Sequence, residues 1–151
     1  MRAYNGQRLG AATVALGIAQ GAYERALAYA GSRKQFGRAI GDFQGIRWKL
    51  ADMAIKLDAA RLLIHRAAAR AGRNFPDALD AAKAKTFAAE TAQEVTSQAL
   101  QIHGAAGYGR SLPLERMMRD ARMFAIGGGT LEMMRNLIAD QILPSKSNWR
   151  Q

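Results

Sequence analysis

The chain has 151 residues, enough for one domain with a substantial core, and 49% of them are apolar, which argues against intrinsic disorder. Alanine and leucine dominate that fraction and only three prolines occur, which favours helix over sheet, while the absence of cysteine excludes disulfides and thiolate metal sites. The net charge of +10, from 22 Lys+Arg against 12 Asp+Glu, suits anionic ligands, yet the arginines are spread along the chain without a recognition-helix motif, so nucleic-acid binding is not expected.

Five helical segments are predicted. The first runs from about Leu9 to Ala30, with an apolar stripe of Leu16, Ala19, Tyr23, Leu27 and Ala30. The loop Ser32–Asp42 ends it, and Asp42 is the expected N-cap of the second segment, about Phe43 to Gly72. There Ile46, Leu50, Met53, Leu57, Ala60 and Ile64 make a long seam suited to bundle packing. After the break at Asn74–Asp77, a third helix carries Ala81, Ala84, Ala88, Ala92, Val95, Ala99 and Ile102 on one face, small enough for a partner helix to approach closely.

A glycine-rich turn, His103–Gly109, stops it. A short segment from Leu112 to Phe124 follows, with Pro113 in its first turn. Gly127-Gly128-Gly129 breaks the chain again before a last helix, about Thr130 to Leu143, that buries Leu131, Met134, Ile138 and Ile142. The expected fold is all-α, an antiparallel four-helix-bundle-like domain over residues 1–143 with a mobile tail at 144–151. No apolar run approaches the roughly 18 residues that span a membrane, and the start has no signal-peptide layout, so a soluble cytoplasmic chain is expected.

Five motifs in order carry a family resemblance: Ser32-Arg33-Lys34-Gln35-Phe36-Gly37, Phe43-Gln44, Gln101 to Tyr108, Met118-Arg119-Asp120-Ala121 and Ile126 to Glu132. Together they resemble the C-terminal helical domain of flavin-dependent acyl-CoA dehydrogenases. The resemblance implies FAD as cofactor, an acyl-CoA substrate, a dimeric or tetrameric assembly and an electron-transfer acceptor. It also implies an N-terminal helical domain and a middle β domain, which these 151 residues do not contain, so the chain alone is expected to be inactive. A non-catalytic scaffold module is the alternative. Against it, Arg33, Gln44, Gln101 and Thr130 retain the family's flavin-contact pattern.

The resemblance makes Arg33 a partner of the FAD pyrophosphate, which a guanidinium fork suits, although a cation at a helix C-terminus is also favourable without a ligand. Gln35, Phe36 and Gln44 fall in the same cofactor set; Phe36 would otherwise pack in the bundle, and Gln44 would be an ordinary first-turn residue. Gln101, Ile102, His103, Gly104 and Ala105 are implied to touch FAD in a neighbouring subunit, with Ala105 standing where glycine is frequent. His103 is read first as a structural or exposed histidine. Thr130, Leu131 and Glu132 would face the flavin, Thr130 serving equally as a helix cap.

Dehydrogenation requires a carboxylate near the α-proton. The family's two usual glutamate positions fall on Gly128 and Gln7, and residues 1–10 contain no Asp or Glu. Either the base lies in other domains or the chain belongs to a divergent branch such as the acyl-CoA desulfinases. Arg8, Gly128 and Gly129 are implied to border the acyl thioester, Arg8 being otherwise a solvated arginine on the first helix.

Overall fold

The computed structural model describes residues 2–143; the tail read from Pro144 onward lies outside the described residues. Six helices are present among them: α1 (Arg2–Ser32), α2 (Gln44–Ala71), α3 (Ala78–His103), the single turn α4 (Ala105–Tyr108), α5 (Leu114–Met123) and α6 (Leu131–Ile142). Two short strands, β1 (Lys34–Gln35) and β2 (Arg38–Ala39), pair antiparallel in the loop after α1, with a 3-10 turn at Ile40–Asp42. The all-α reading therefore holds, apart from this one hairpin.

The chain directions follow from a few tie points. Asn5 Nδ2 donates to the Pro76 carbonyl at 3.1 Å near the start of α3, and Tyr29 stacks on His103 with ring centroids 4.2 Å apart. So α1 and α3 run parallel, and they make the most extensive contact in the fold. Lys49–Gln98, Lys56–Glu94 and Arg70–Asp80 pair α2 with α3 in opposite directions. Arg122 bonds Gln93, which sends α5 back down α3, and Arg135 pairs with Glu90 as α6 returns along it.

Alanine makes the close pairing possible. Ala12, Ala15, Ala19, Ala22 and Ala26 of α1 and Ala84, Ala88, Ala92 and Ala99 of α3 are buried in one core. With only a methyl group on each face, backbones come near and contact is broad. The seam of α2 is placed as its spacing predicts, with Met53, Leu57, Ala60 and Ile64 buried and Ala67 added below them. Asp77 caps α3, its carboxylate accepting from the amides of Leu79 and Asp80.

Several expectations are corrected. Helix α1 begins at Arg2, well before Leu9, because no breaker interrupts Arg2–Gly10 strongly enough to stop it. Leu27 is exposed and Tyr23 only half-buried; Ala22 and Ala26 hold the inner face instead. Asp42 lies in the 3-10 turn, and the residue capping α2 is Phe43, with no side-chain bond. Pro113 precedes α5 as its cap residue, so that helix starts at Leu114. Ile142 is exposed, since only Leu131 and Met134 of α6 reach the core.

Candidate functional site

The residues singled out in the sequence gather in two places, at opposite ends of α1. One place is the corner formed by the hairpin and the start of α2. Arg33 leaves α1 with its amide donating to Tyr29 O at 2.8 Å, and its carbonyl accepts from Ile40 N at 2.8 Å, which folds the hairpin back. Phe36 sits at the hairpin tip with φ +52 and is 92% exposed. A non-glycine residue in the left-handed region is uncommon, and here it holds a large ring out from the hairpin tip. Its edge faces Phe43 at 6.2 Å, and the Arg38 guanidinium lies 4.0 Å over the Phe43 ring. Arg33, Lys34, Gln35 and Gln44 are all exposed around this aromatic pair.

The Tyr29–His103 stack brings the C-terminus of α3 to the same end of the bundle. Gln101 and Ala105 are exposed there, and Gly104 turns the chain with φ +58. Among the implied cofactor contacts, the side chains of Ile102, His103 and Leu131 are buried, which for His103 is the structural reading. The His103 ring is taken up by Tyr29 and by the Ala99 carbonyl, 2.8 Å from Nδ1. At these three positions the side chains serve the core, which leaves backbone for any ligand.

Gly107 fixes the turn that follows. A Cβ there would meet Leu100 O at 2.7 Å and His103 Cβ at 2.8 Å. Gly107→Ala is therefore expected to cost about 1–3 kcal/mol by overpacking against backbone. It should also displace His103 from Tyr29, which the ring-current shifts of Tyr29 report; an unmoved Tyr29 spectrum would refute this.

The second place lies near the start of α1. At about 1.5 Å per residue, the stretch of α1 from Arg8 to Ser32 is roughly 35 Å long. Here Gly128, at φ +74, packs toward Ala11, and Gly129 has φ +102. Leu131 N donates to Ala125 O at 3.2 Å to close the turn, and Thr130 caps α6 by accepting from Met133 N. Arg8 Nη1 donates to Asn5 Oδ1 at 3.0 Å, while its Nε is buried without a partner. Gln7 is exposed. Glu132 opens α6, where its own backbone amide first and then the Thr130 hydroxyl hold its carboxyl below the usual carboxylate range.

One residue of this cluster was missed in the sequence. Lys85 of α3 is 1% exposed and its ammonium donates to the Gly129 carbonyl. Burial first, and then the neighbouring Arg8 charge, push its pKa down, with Glu132 acting in the opposite sense. The signal was available: Ala81, Lys85, Ala88 and Ala92 step by four and three along the inner face, so a lysine occupies a core position.

The two ends differ in what they can bind. The hairpin corner offers guanidinium groups, an exposed aromatic ring and amide side chains, which suit phosphates and a stacked heterocycle. The Arg8–Gly129 end offers fixed positive charge and the N-terminus of a twelve-residue helix, which suit an oxygen that carries or gains negative charge. Among the described residues no helix is long and apolar enough to cross a membrane.

Comparison with known proteins identifies the domain. The family model described as "Acyl-CoA dehydrogenase, C-terminal domain" matches residues 1–143. A 3-sulfinopropanoyl-CoA desulfinase of Paraburkholderia xenovorans is 60% identical over 151 residues, covering 100% of this chain and 39% of that protein. A probable acyl-CoA dehydrogenase of Bacillus subtilis is 48% identical over 139 residues, covering 92% of this chain and 37% of that protein. The solved butyryl-CoA dehydrogenase of Megasphaera elsdenii superposes with a TM-score of 0.91 at 40% identity, covering 93% of this chain and 37% of that one. The chain thus spans well under half the length of the relatives it matches.

Proposed function

Because the chain belongs to the acyl-CoA dehydrogenase family and forms its C-terminal helical domain, we propose that it supplies one side of a flavin and acyl-CoA site in an enzyme that removes sulfinate from 3-sulfinopropanoyl-CoA. The observation that carries the choice of reaction is the make-up of the Gly128 turn. It holds Arg8 and Lys85 and has no carboxylate at position 128 or in the first ten residues. Glu132 is the acid group beside it, and its carboxylate is engaged by its own amide and the Thr130 hydroxyl at the helix start.

Desulfination has no need of that base. The carbon–sulfur bond breaks, the β-carbon takes a proton, and sulfur leaves as sulfite with the oxygen of one water. The overall change calls for no external electron acceptor, whereas dehydrogenation would. FAD fits the exposed groups at the hairpin corner: Arg33 for the pyrophosphate, with Gln35, Phe36, Gln44 and the Gln101–Ala105 backbone around the adenine end. When bound, FAD supplies a hydride acceptor in the dehydrogenating members of such a family. Thr130 and Glu132 stand where flavin polar atoms would be met, and Arg8, Gly128 and Gly129 border the thioester. The roughly 35 Å between the two ends supports an assembly of several copies, in which each end serves a different cofactor.

The test is a hybrid in which this chain replaces the matching third of the Paraburkholderia xenovorans desulfinase. It is expected to retain flavin and to release sulfite from 3-sulfinopropanoyl-CoA without an added acceptor. A folded, flavin-bearing hybrid that oxidises butyryl-CoA and releases no sulfite would sink the desulfinase reading. In the same hybrid, Arg33→Ala is expected to weaken flavin retention about 10- to 100-fold, the value of a charge-assisted bond to phosphate. Flavin content after dialysis checks this.

A further inference from the structure

We propose that Lys85 is the positioning residue of the Gly128–Gly129 turn, its buried ammonium pegging the Gly129 carbonyl so that two adjacent positive-φ glycines keep one conformation. The proposal deepens the reading above, since this turn is the part placed beside the thioester.

Three observations lead to it. Lys85 is one of the most fully enclosed side chains among the described residues, beside a core of aliphatic and aromatic side chains. Burying an ammonium is costly, and here a like charge, Arg8, adds to the cost while only Glu132 offsets it. A methionine of similar length would fill the same space without that penalty. The bond to Gly129 O is what distinguishes lysine from such a filler.

The second observation is the weakness of the turn without it. Gly128 and Gly129 adopt φ +74 and +102, and glycine has many other conformations open to it. A Cβ at Gly128 would find only Ala11 Cβ, at 3.7 Å, so little packing confines that residue from outside, while Gly129 is covered on one side by the flexible end of Met134. The third is location: Lys85 stands on α3, the most heavily packed helix, and ties it to the start of α6. The rigid element thereby sets the loop.

The expected result separates positioning from general support. In Lys85→Met the melting temperature of the chain should hold or rise, because a buried charge is replaced by an apolar side chain. Amide exchange at Gly128, Gly129, Thr130 and Leu131 should meanwhile speed up about tenfold or more, the loss of a hydrogen bond to a charged group. Unchanged exchange at those four amides, or a lower melting temperature with uniformly faster exchange, would overturn the proposal. A measurement on the unaltered chain guards against a variant that does not fold. Scalar coupling between Lys85 15Nζ and Gly129 13C′ is expected at a pH where the ammonium is charged, and its absence would also overturn it. None of these readouts uses flavin or acyl-CoA, so they can fail or succeed apart from the desulfinase reading.

Discussion

Gly128→Glu is expected to raise α,β-dehydrogenation of butyryl-CoA in the hybrid enzyme by about 10²–10⁴-fold, the usual contribution of a positioned general base. The resemblance places a glutamate at this position in many dehydrogenating members, and the structure supplies room for one. The nearest atom to a Cβ at 128 is Ala11 Cβ at 3.7 Å, an ordinary contact. Two effects oppose the gain. At φ +74 a side chain costs about 1–2 kcal/mol, which the turn must absorb. Arg8 and Lys85 stand close by, and their charge would hold the new carboxyl ionised but less basic. Both are small beside the gain from placing a carboxylate at a position that has none. The measurement is acceptor-dependent oxidation of butyryl-CoA by the hybrid with and without the substitution. Equal rates, with flavin retained in both, would mean that position 128 does not face the α-carbon.

How much of this was legible in the sequence depends on side-chain size and on distance along the chain. The α2 seam was readable because Ile46, Leu50, Met53, Leu57 and Ile64 contrast sharply with their neighbours. The inner face of α1 was not, since Ala22 and Ala26 carry little hydropathy signal beside Tyr23 and Leu27, and close packing against α3 favours the smaller residues. Asp42 looked like a cap by residue type, but a 3-10 turn placed Phe43 at the helix start. The site was legible as a set of motifs and not as a geometry. That Arg33 and Gln101 share one end while Arg8 and Gly128 share the other follows from the parallel course of α1 and α3, a long-range pairing that local pattern does not encode. Lys85 was visible as a charge on an apolar stripe, yet its partner lies 44 residues away in the chain.

Leu114→Ala is expected to be the most damaging single truncation in the core, at about 2–5 kcal/mol. Leu114 is fully buried at the start of α5 and belongs to the main core cluster. The helix it anchors is only ten residues long and strongly two-faced, with Arg116, Met118, Arg119 and Asp120 exposed. Apart from Leu114, Ala121 is its one fully buried residue, and Met117 reaches the core in part. A cavity at Leu114 therefore cannot be closed by neighbours on the same helix, and wild-type packing on α1 and α3 would be lost where α5 begins. The consequence should extend to function, because α5 leads directly into Gly127–Gly129. A looser α5 gives the glycine turn a mobile entry even with Lys85 in place. The expected result is a lower unfolding free energy in urea, with faster amide exchange along Leu114–Leu131 and little change in α2. A loss spread evenly over all helices would instead mean that α5 unfolds only with the whole bundle, and that the turn's order is set by α3 alone.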